Sequence, residues 1–489
     1  MQSNILENES SGVQSLSKEL APKDFFAIGF GAMIGVGWVL VIGDWINLGG
    51  GPIAAIIAFL IGSLMLIPIA LVYGELTTMM PVAGGSIAFT LNAFGPSVSY
   101  FTGWFLVFGY VMLCPWEAIA IGEIFGTLFP ALRQLPLYTI GDYTIYAPVL
   151  IISLIVSILI IGANLKGIQY VVKIQNALTK GIVMIAAVGV TISFIFGSVE
   201  NIMPIVSQTP DNMSGSLVAG ILSVLAITPF FYSGFDTIPQ EAEESSETIN
   251  YKLLGKVIGL AVIAAGIFYV LMLVATSFAM QWQKVIDLSM PSAEVYGIGL
   301  GFPLIEKAIL VGALCGLIST LNSFFVAGAR VLLALGRARL LPSLFSTIHP
   351  KFKTPYYANY FIATLTIAGP FFGKSLLVPI INVCSLGFML AWLSVCCSAV
   401  KLRRSRPDVN RPYKMPGGIK MGYLAIFLSF LMIIVLVLPA SPGALVWPLE
   451  WGIVLIWFIT GLLLYLLSGK QRKSISENER CKLVFGNFK

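Results

Sequence analysis

Gly29-Phe30-Gly31-Ala32-Met33-Ile34-Gly35-Val36-Gly37-Trp38 lies inside an apolar run from Phe25 to Ile46. A run of that length crosses a bilayer as a helix. Four of the ten residues are glycine, which loses the most backbone freedom on ordering and is a poor helix former. One reading is close helix packing through the Gly31/Gly35 GxxxG pair. Adding Gly29 and Gly37 favours a broken helix at Gly35-Val36-Gly37. In lipid, a break leaves N–H and C=O groups that need partners, and a buried cavity holding a polar ligand supplies them.

The chain around this stretch has 489 residues, 57% hydrophobic and 11% charged. That composition excludes a soluble globular domain. Continuous apolar runs exclude a β-barrel, whose strands alternate. The expected fold is an all-α polytopic membrane protein of twelve spans: 24–46, 52–74, 98–126, 147–164, 174–197, 216–239, 254–280, 303–335, 356–373, 376–400, 421–439 and 446–468. Residues 1–23 are polar and read as a tail without a cleaved leader, and 469–489 read as a second tail. If 1–23 is cytoplasmic, only Arg133, Lys284, Lys307 and Lys374 of the twenty-nine Lys and Arg face outward. Both termini are therefore placed in the cytoplasm, with the plasma membrane as the expected location. The basic clusters read as topology determinants touching anionic lipid, not as a nucleic-acid surface.

The cysteines Cys114, Cys315, Cys384, Cys396, Cys397 and Cys481 show no CxxC spacing, and His349 is the sole histidine. Neither a metal site nor a disulfide framework is indicated, and no cofactor is expected. HExxH and Walker A motifs are missing, which argues against a membrane-embedded enzyme or ATPase.

Ionisable and helix-breaking residues inside spans mark the candidate site. Span three carries Cys114-Pro115-Trp116-Glu117-Ala118. A proline there removes a backbone donor and kinks the helix. Glu117 at mid-span is either a structural or protonated carboxyl, or a group that acts on substrate or proton. Span six carries Thr228-Pro229-Phe230-Phe231-Tyr232-Ser233-Gly234-Phe235-Asp236, a second interruption followed by another acid. The stretch Glu241, Glu243, Glu244 and Glu247 reads as a solvated loop, and Glu75 as a face residue that pairs with a basic loop. The two breaks lie about two hundred residues apart, five spans from one to the next. This is the arrangement of an inverted repeat, 24–197 against 216–400, with 421–468 outside it.

Together these features resemble the amino acid–polyamine–organocation superfamily of secondary transporters. The resemblance is carried by Gly31 to Gly37, by Tyr73-Gly74-Glu75-Leu76 through Pro81-Val82-Ala83-Gly84-Gly85, by Phe230 to Asp236 with Ala242-Glu243-Glu244, and by Asn322, Arg330 and Arg339-Leu340-Leu341-Pro342. It implies a five-plus-five fold that moves an amino acid or related amine. It implies that amides of Gly35, Val36 and Gly37 bind the substrate carboxylate, in keeping with the affinity of freed helix-end amides for anions. Carbonyls near Met33 and from Phe231 to Ser233 would meet the amine. Phe230 matches an aromatic gate, Glu117 and Ala118 match pocket-lining positions, and Gly234 sits at the second break.

The resemblance leaves the coupling ion open between proton and sodium. Proton-coupled relatives place a lysine of span five against the break. Here Ile182 takes that position, and Lys180 lies about 200° round the helix. Ser319 and Thr320 stand where sodium-coupled relatives use hydroxyls; Glu117 and Asp236 are the carboxyl candidates for coupling. A non-transporting nutrient sensor on the same fold is the alternative reading.

Overall fold

A computed structural model describes residues 16, 18–141, 143–166, 168–374 and 377–485. Span one is built in pieces: α1 (Pro22–Met33), α2 (Gly37–Leu40) and α3 (Ile42–Gly49). Gly50 ends α3 with φ +67°, a left-handed turn open to glycine at little cost, and Pro52 starts the next helix at its first position. That helix, α4 (Pro52–Met79), stops at Met80. Gly84 at φ +65° then turns the chain into the short α5 (Gly85–Phe94), as Pro81 and the glycine pair predict.

The following helix, α6 (Pro96–Leu128), runs on through Pro115. A small antiparallel hairpin, β1 (Pro136–Ile140) and β2 (Tyr143–Tyr146), is an addition to the all-α expectation. Spans four and five are α7 (Ala147–Leu165) and α8 (Ile168–Phe196). Span six divides into α9 (Leu217–Tyr232) and α10 (Thr237–Gln240). The remainder is α11 (Tyr251–Ala279), α12 (Pro303–Arg337), α13 (Tyr356–Ala368), α14 (Leu377–Ser405), α15 (Gly418–Val437), α16 (Leu449–Leu467) and α17 (Glu477–Phe485).

Among the described residues, eleven helices are long and apolar enough to cross a membrane. Span nine differs from expectation. Its α-helix α13 has 13 residues and continues only as a 3₁₀ turn over Gly369–Phe372. The cause is local: Gly369-Pro370 cannot extend the helix, and Gly369 packs against Pro115 of α6, whose Cα would lie 2.7 Å from an added Cβ. Within the expected tail, α17 docks on the end of α12, where Arg480 is buried and donates to the Ala338 carbonyl at 2.9 Å.

The centre of the bundle is formed by α1, α4, α6, α9, α11, α12 and α14, which carry the most buried side chains. By contrast α15 and α16 are largely lipid-facing, with Phe427, Phe430, Ile456 and Leu467 exposed. For a membrane protein such exposure is the expected outer surface, because lipid tails are as apolar as leucine.

Candidate functional site

The break in span one is a backbone feature. At the end of α1 the Ile34 N–H closes on Phe30 O at 3.0 Å, and at the start of α2 the Val39 and Leu40 amides return to Val36 O at 2.9 and 3.0 Å. Between these bonds the N–H groups of Gly35, Val36 and Gly37 find no acceptor among the described residues. Both glycines are required by what faces them. A Cβ on Gly35 would lie 2.8 Å from Glu117 Oε1 and 2.8 Å from Thr320 Oγ1, and one on Gly37 would lie 2.7 Å from Phe231 Cε1.

The break in span six lies directly against the first. Ser233 caps α9, donating from Oγ to Phe230 O at 2.6 Å. Gly234 then takes φ +137°, and a Cβ there would stand 2.7 Å from the Met33 backbone nitrogen. Asp236 holds this turn closed. Its Oδ1 accepts from Gly234 N–H at 2.9 Å, and its Oδ2 accepts from Tyr110 Oη at 2.8 Å and Trp392 Nε1 at 2.9 Å. With three donors on its carboxyl oxygens, Asp236 ties the break to α6 and α14.

Every residue of the expected set is buried. Glu117 is 1% exposed, and its Oε2 has no hydrogen-bond partner among the described residues. Phe230 stands edge-on to Trp116 at 5.6 Å and to Phe231 at 5.1 Å, and Phe231 stands edge-on to Trp45 at 4.6 Å. The carbonyl of Ala118 accepts from Ser153 Oγ of α7. Ser319 and Thr320 donate to Gly31 O at 3.0 and 3.1 Å, so both hydroxyls are engaged at the end of α1. Ser319 also accepts from Gln175 Nε2 at 2.6 Å, and Gln175 reaches Ala27 O at 3.2 Å. Ile182 is fully buried while Lys180 is exposed, in keeping with the periodicity argument for span five.

One central residue escaped the sequence reading. Tyr269 of α11, 1% exposed, donates to Met33 O at 2.5 Å and to Phe231 O at 3.2 Å. A single hydroxyl proton is thus shared between carbonyls of the two breaks. The signal was available, because a tyrosine buried in a span must find an acceptor for its tip.

A correction concerns the acidic stretch. Glu241 and Glu244 are each 1% exposed and do not form a solvated loop. Glu244 receives a fork from Arg330, Nε at 3.1 Å and Nη2 at 2.9 Å, and Glu243 receives Arg337 at 2.6 and 3.1 Å. Arg330 and Arg337 are accordingly buried partners on α12 and not loop determinants of topology. The Glu19 and Leu20 amides both donate to Glu244 O at 2.9 Å, and Gly84 N–H donates to Gln240 O at 3.0 Å.

This network clamps the start of α1, the α4–α5 turn, α10 and α12 together at the end of the bundle where Leu20 and Arg480 lie. Burial raises Glu243, but Arg337 and the Ala83 and Leu16 amides bring it below the usual carboxylate range. Burial and the neighbouring Glu244 charge hold Glu241 well above that range, and neither oxygen of Glu241 has a hydrogen-bond partner among the described residues. Glu75 pairs as expected, with Arg403 and Arg411 of the 401–420 segment and with the Met415 amide at 2.8 Å.

The centre thus brings together free amides, shared carbonyls, the buried carboxyls of Glu117 and Asp236, and an aromatic wall. Among the described residues no group of three or more His, Cys, Asp or Glu could hold a metal ion. Eleven apolar helices among the described residues surround the paired breaks, which makes this a multi-pass membrane protein, and the family it matches is one of transporters. The chain belongs to the amino acid permease family, whose model matches residues 20–463. It is 24% identical over 483 residues to a branched-chain amino acid permease of Bacillus subtilis, covering 96% of each chain. It is also 24% identical over 478 residues to a methylthioribose transporter of the same organism, covering 95% of this chain and 96% of the other. A chloroplastic cationic amino acid transporter of Arabidopsis thaliana is 26% identical over 412 residues, with 82% of this chain and 69% of the other covered.

Proposed function

We propose that this protein is a secondary active transporter that moves an amino acid or related amine by alternating access, driven by an ion gradient or by exchange. The supporting observation is the junction of the two helix breaks: the amides of Gly35, Val36 and Gly37 lack an acceptor among the described residues, with Glu117 facing Gly35 and Phe231 facing Gly37. Free amides favour a carboxylate. The carbonyls of Met33 and Phe231, held by Tyr269, favour an ammonium group. Phe230, with Trp116 beside it, serves as the gate, while Ser233 and Gly234 shape the second break. Residues 24–197 and 216–400 form the two repeats. The chain ends face the cytoplasm and the protein resides in the plasma membrane.

Coupling is assigned to Glu117. Its carboxyl alone among the candidates combines burial, proximity to Gly35 and an oxygen without a hydrogen-bond partner among the described residues. Asp236 is fully bonded, and the Ser319 and Thr320 hydroxyls are engaged on Gly31. Proton coupling is accordingly preferred to sodium. The names of the relatives span branched-chain and cationic amino acids, so the substrate panel includes both.

The test is uptake into proteoliposomes under an imposed proton or sodium gradient. Accumulation of at least one amino acid, driven by an inward proton gradient and collapsed by a protonophore, is the expected result. Binding of an amino acid without any uptake would overturn the transport reading in favour of a sensor.

A further inference from the structure

The last turn of α14 presents two kinds of basic residue. Arg403 is committed to Glu75, and Arg411 beyond the helix shares that carboxylate. Lys401 and Arg404 are exposed, and neither pairs with a carboxylate among the described residues. They are three residues apart and so share a face of the helix. Each lies over an aromatic ring instead: Lys401 Nζ is 4.5 Å from the Phe94 centroid, and the Arg404 guanidinium is 5.5 Å from that of Tyr423. Such contacts leave the cations able to take an anion.

Between α14 and α15 these two side chains flank a cleft of about 410 Å³. Its other walls are apolar or small: Cys397, Val400, Ser405 and Ile426. The floor is tight, since a Cβ on Gly422 of α15 would lie 2.7 Å from Val400 Cγ2. From Tyr423 the same face of α15 continues through Phe427 and Phe430, both more than half exposed. Positive charge therefore stands at the end of the span, and an unbroken apolar track leads from it along the helix.

We propose that this cleft binds an anionic phospholipid, with the headgroup phosphate between Lys401 and Arg404 and an acyl chain along Ile426 and Phe427. Charge complementarity selects the headgroup, because two cations face the opening without a carboxylate partner. The apolar floor selects a lipid over a dissolved anion. Basic pockets between transmembrane helices are suited to such headgroups, and an arginine fork gives the phosphate a fixed geometry.

The experiment is native mass spectrometry of the full-length protein in neutral detergent, titrated with phosphatidylglycerol, phosphatidylcholine or glycerol phosphate. Phosphatidylglycerol should bind in preference to phosphatidylcholine, and glycerol phosphate should fail to compete. Lys401→Gln with Arg404→Gln should weaken phosphatidylglycerol binding about thirtyfold. That figure takes about 1 kcal/mol per basic residue near an anionic surface and 1.4 kcal/mol per tenfold. The control is Lys414→Gln with Lys420→Gln, two exposed lysines, one in the preceding loop and one in the first turn of α15, that should leave binding intact. An unchanged melting temperature of both variants in phosphatidylcholine establishes that the fold is retained. Equal binding of the two lipids, equal loss in both variants, or full competition by glycerol phosphate would each overturn the proposal.

Discussion

The Arg330–Glu244 fork is buried on both sides, with side chains 3% and 1% exposed. Removing Arg330 by Arg330→Met leaves Glu244 and the unbonded Glu241 without their shared counter-charge. Breaking a buried pair from one side costs about 3–5 kcal/mol, because an uncompensated charge remains in a low dielectric. Glu244→Gln is the milder change. With the Glu244 charge gone, Glu241 can ionise beside Arg330, so the loss should be about 1.5–2 kcal/mol, close to that of one charge-assisted hydrogen bond. The double variant should lose only about 1–2 kcal/mol, close to Glu244→Gln alone, giving a coupling energy of about 3 kcal/mol in a double-mutant cycle.

Stability is read by denaturant titration in mixed micelles. Function is read by the reactivity of a cysteine placed at Met33 in a background lacking the native thiols. The pair also holds α12 against the segment that follows α10 and carries the Leu20 amide on Glu244 O, so an opening at that end of the bundle would separate it. A loss of 3 kcal/mol from the closed form corresponds to about a 150-fold shift in population. Labelling from the chain-terminal side should rise accordingly in Arg330→Met. Equal losses in the two single variants, or strict additivity in the double, would refute the reasoning, because the spare carboxylate and the shared charge would then have no energetic effect.

Glu117→Gln should flatten the pH dependence of uptake for neutral and cationic substrates alike, and an unchanged profile would remove Glu117 from coupling. Tyr269→Phe leaves two buried carbonyls without their shared donor and should cost about 1–3 kcal/mol. Bound substrate amine should offset part of that loss, so ligand-induced stabilisation in a melting assay should exceed that of wild type. Glu241→Gln tests a sign. Burial and the Glu244 charge hold the folded-state carboxyl above its unfolded value, so the folded protein holds its proton more tightly. Ionisation therefore costs stability as pH rises above about 4.3. The glutamine variant should be more stable than wild type at pH 7, with the difference vanishing toward pH 4; a gain independent of pH would exclude this cause.

Legibility followed the range of the interaction. Apolar runs report the bilayer directly, because every stretch of about twenty residues must satisfy the lipid on its own. The breaks at Gly35-Val36-Gly37 and Ser233-Gly234 were legible for the same reason, since glycine and proline act on their own backbone. The family resemblance placed Ile182 at the break, and helical periodicity turned Lys180 away from it. Span nine was legible in its bounds, and what the sequence left unread was its 3₁₀ ending at Gly369-Pro370.

The partners of polar groups are what only the tertiary structure decided. Nothing local distinguishes Glu243 and Glu244 from a solvated acidic loop, because their counter-charges Arg330 and Arg337 come from a helix more than eighty residues on. Nothing local joins Tyr269 to Met33, 236 residues away, or Asp236 to Trp392. A carboxylate in water and one in a buried fork can share the same sequence neighbours. Which of the two forms depends on the helix packed against it, and that packing is a property of the whole bundle.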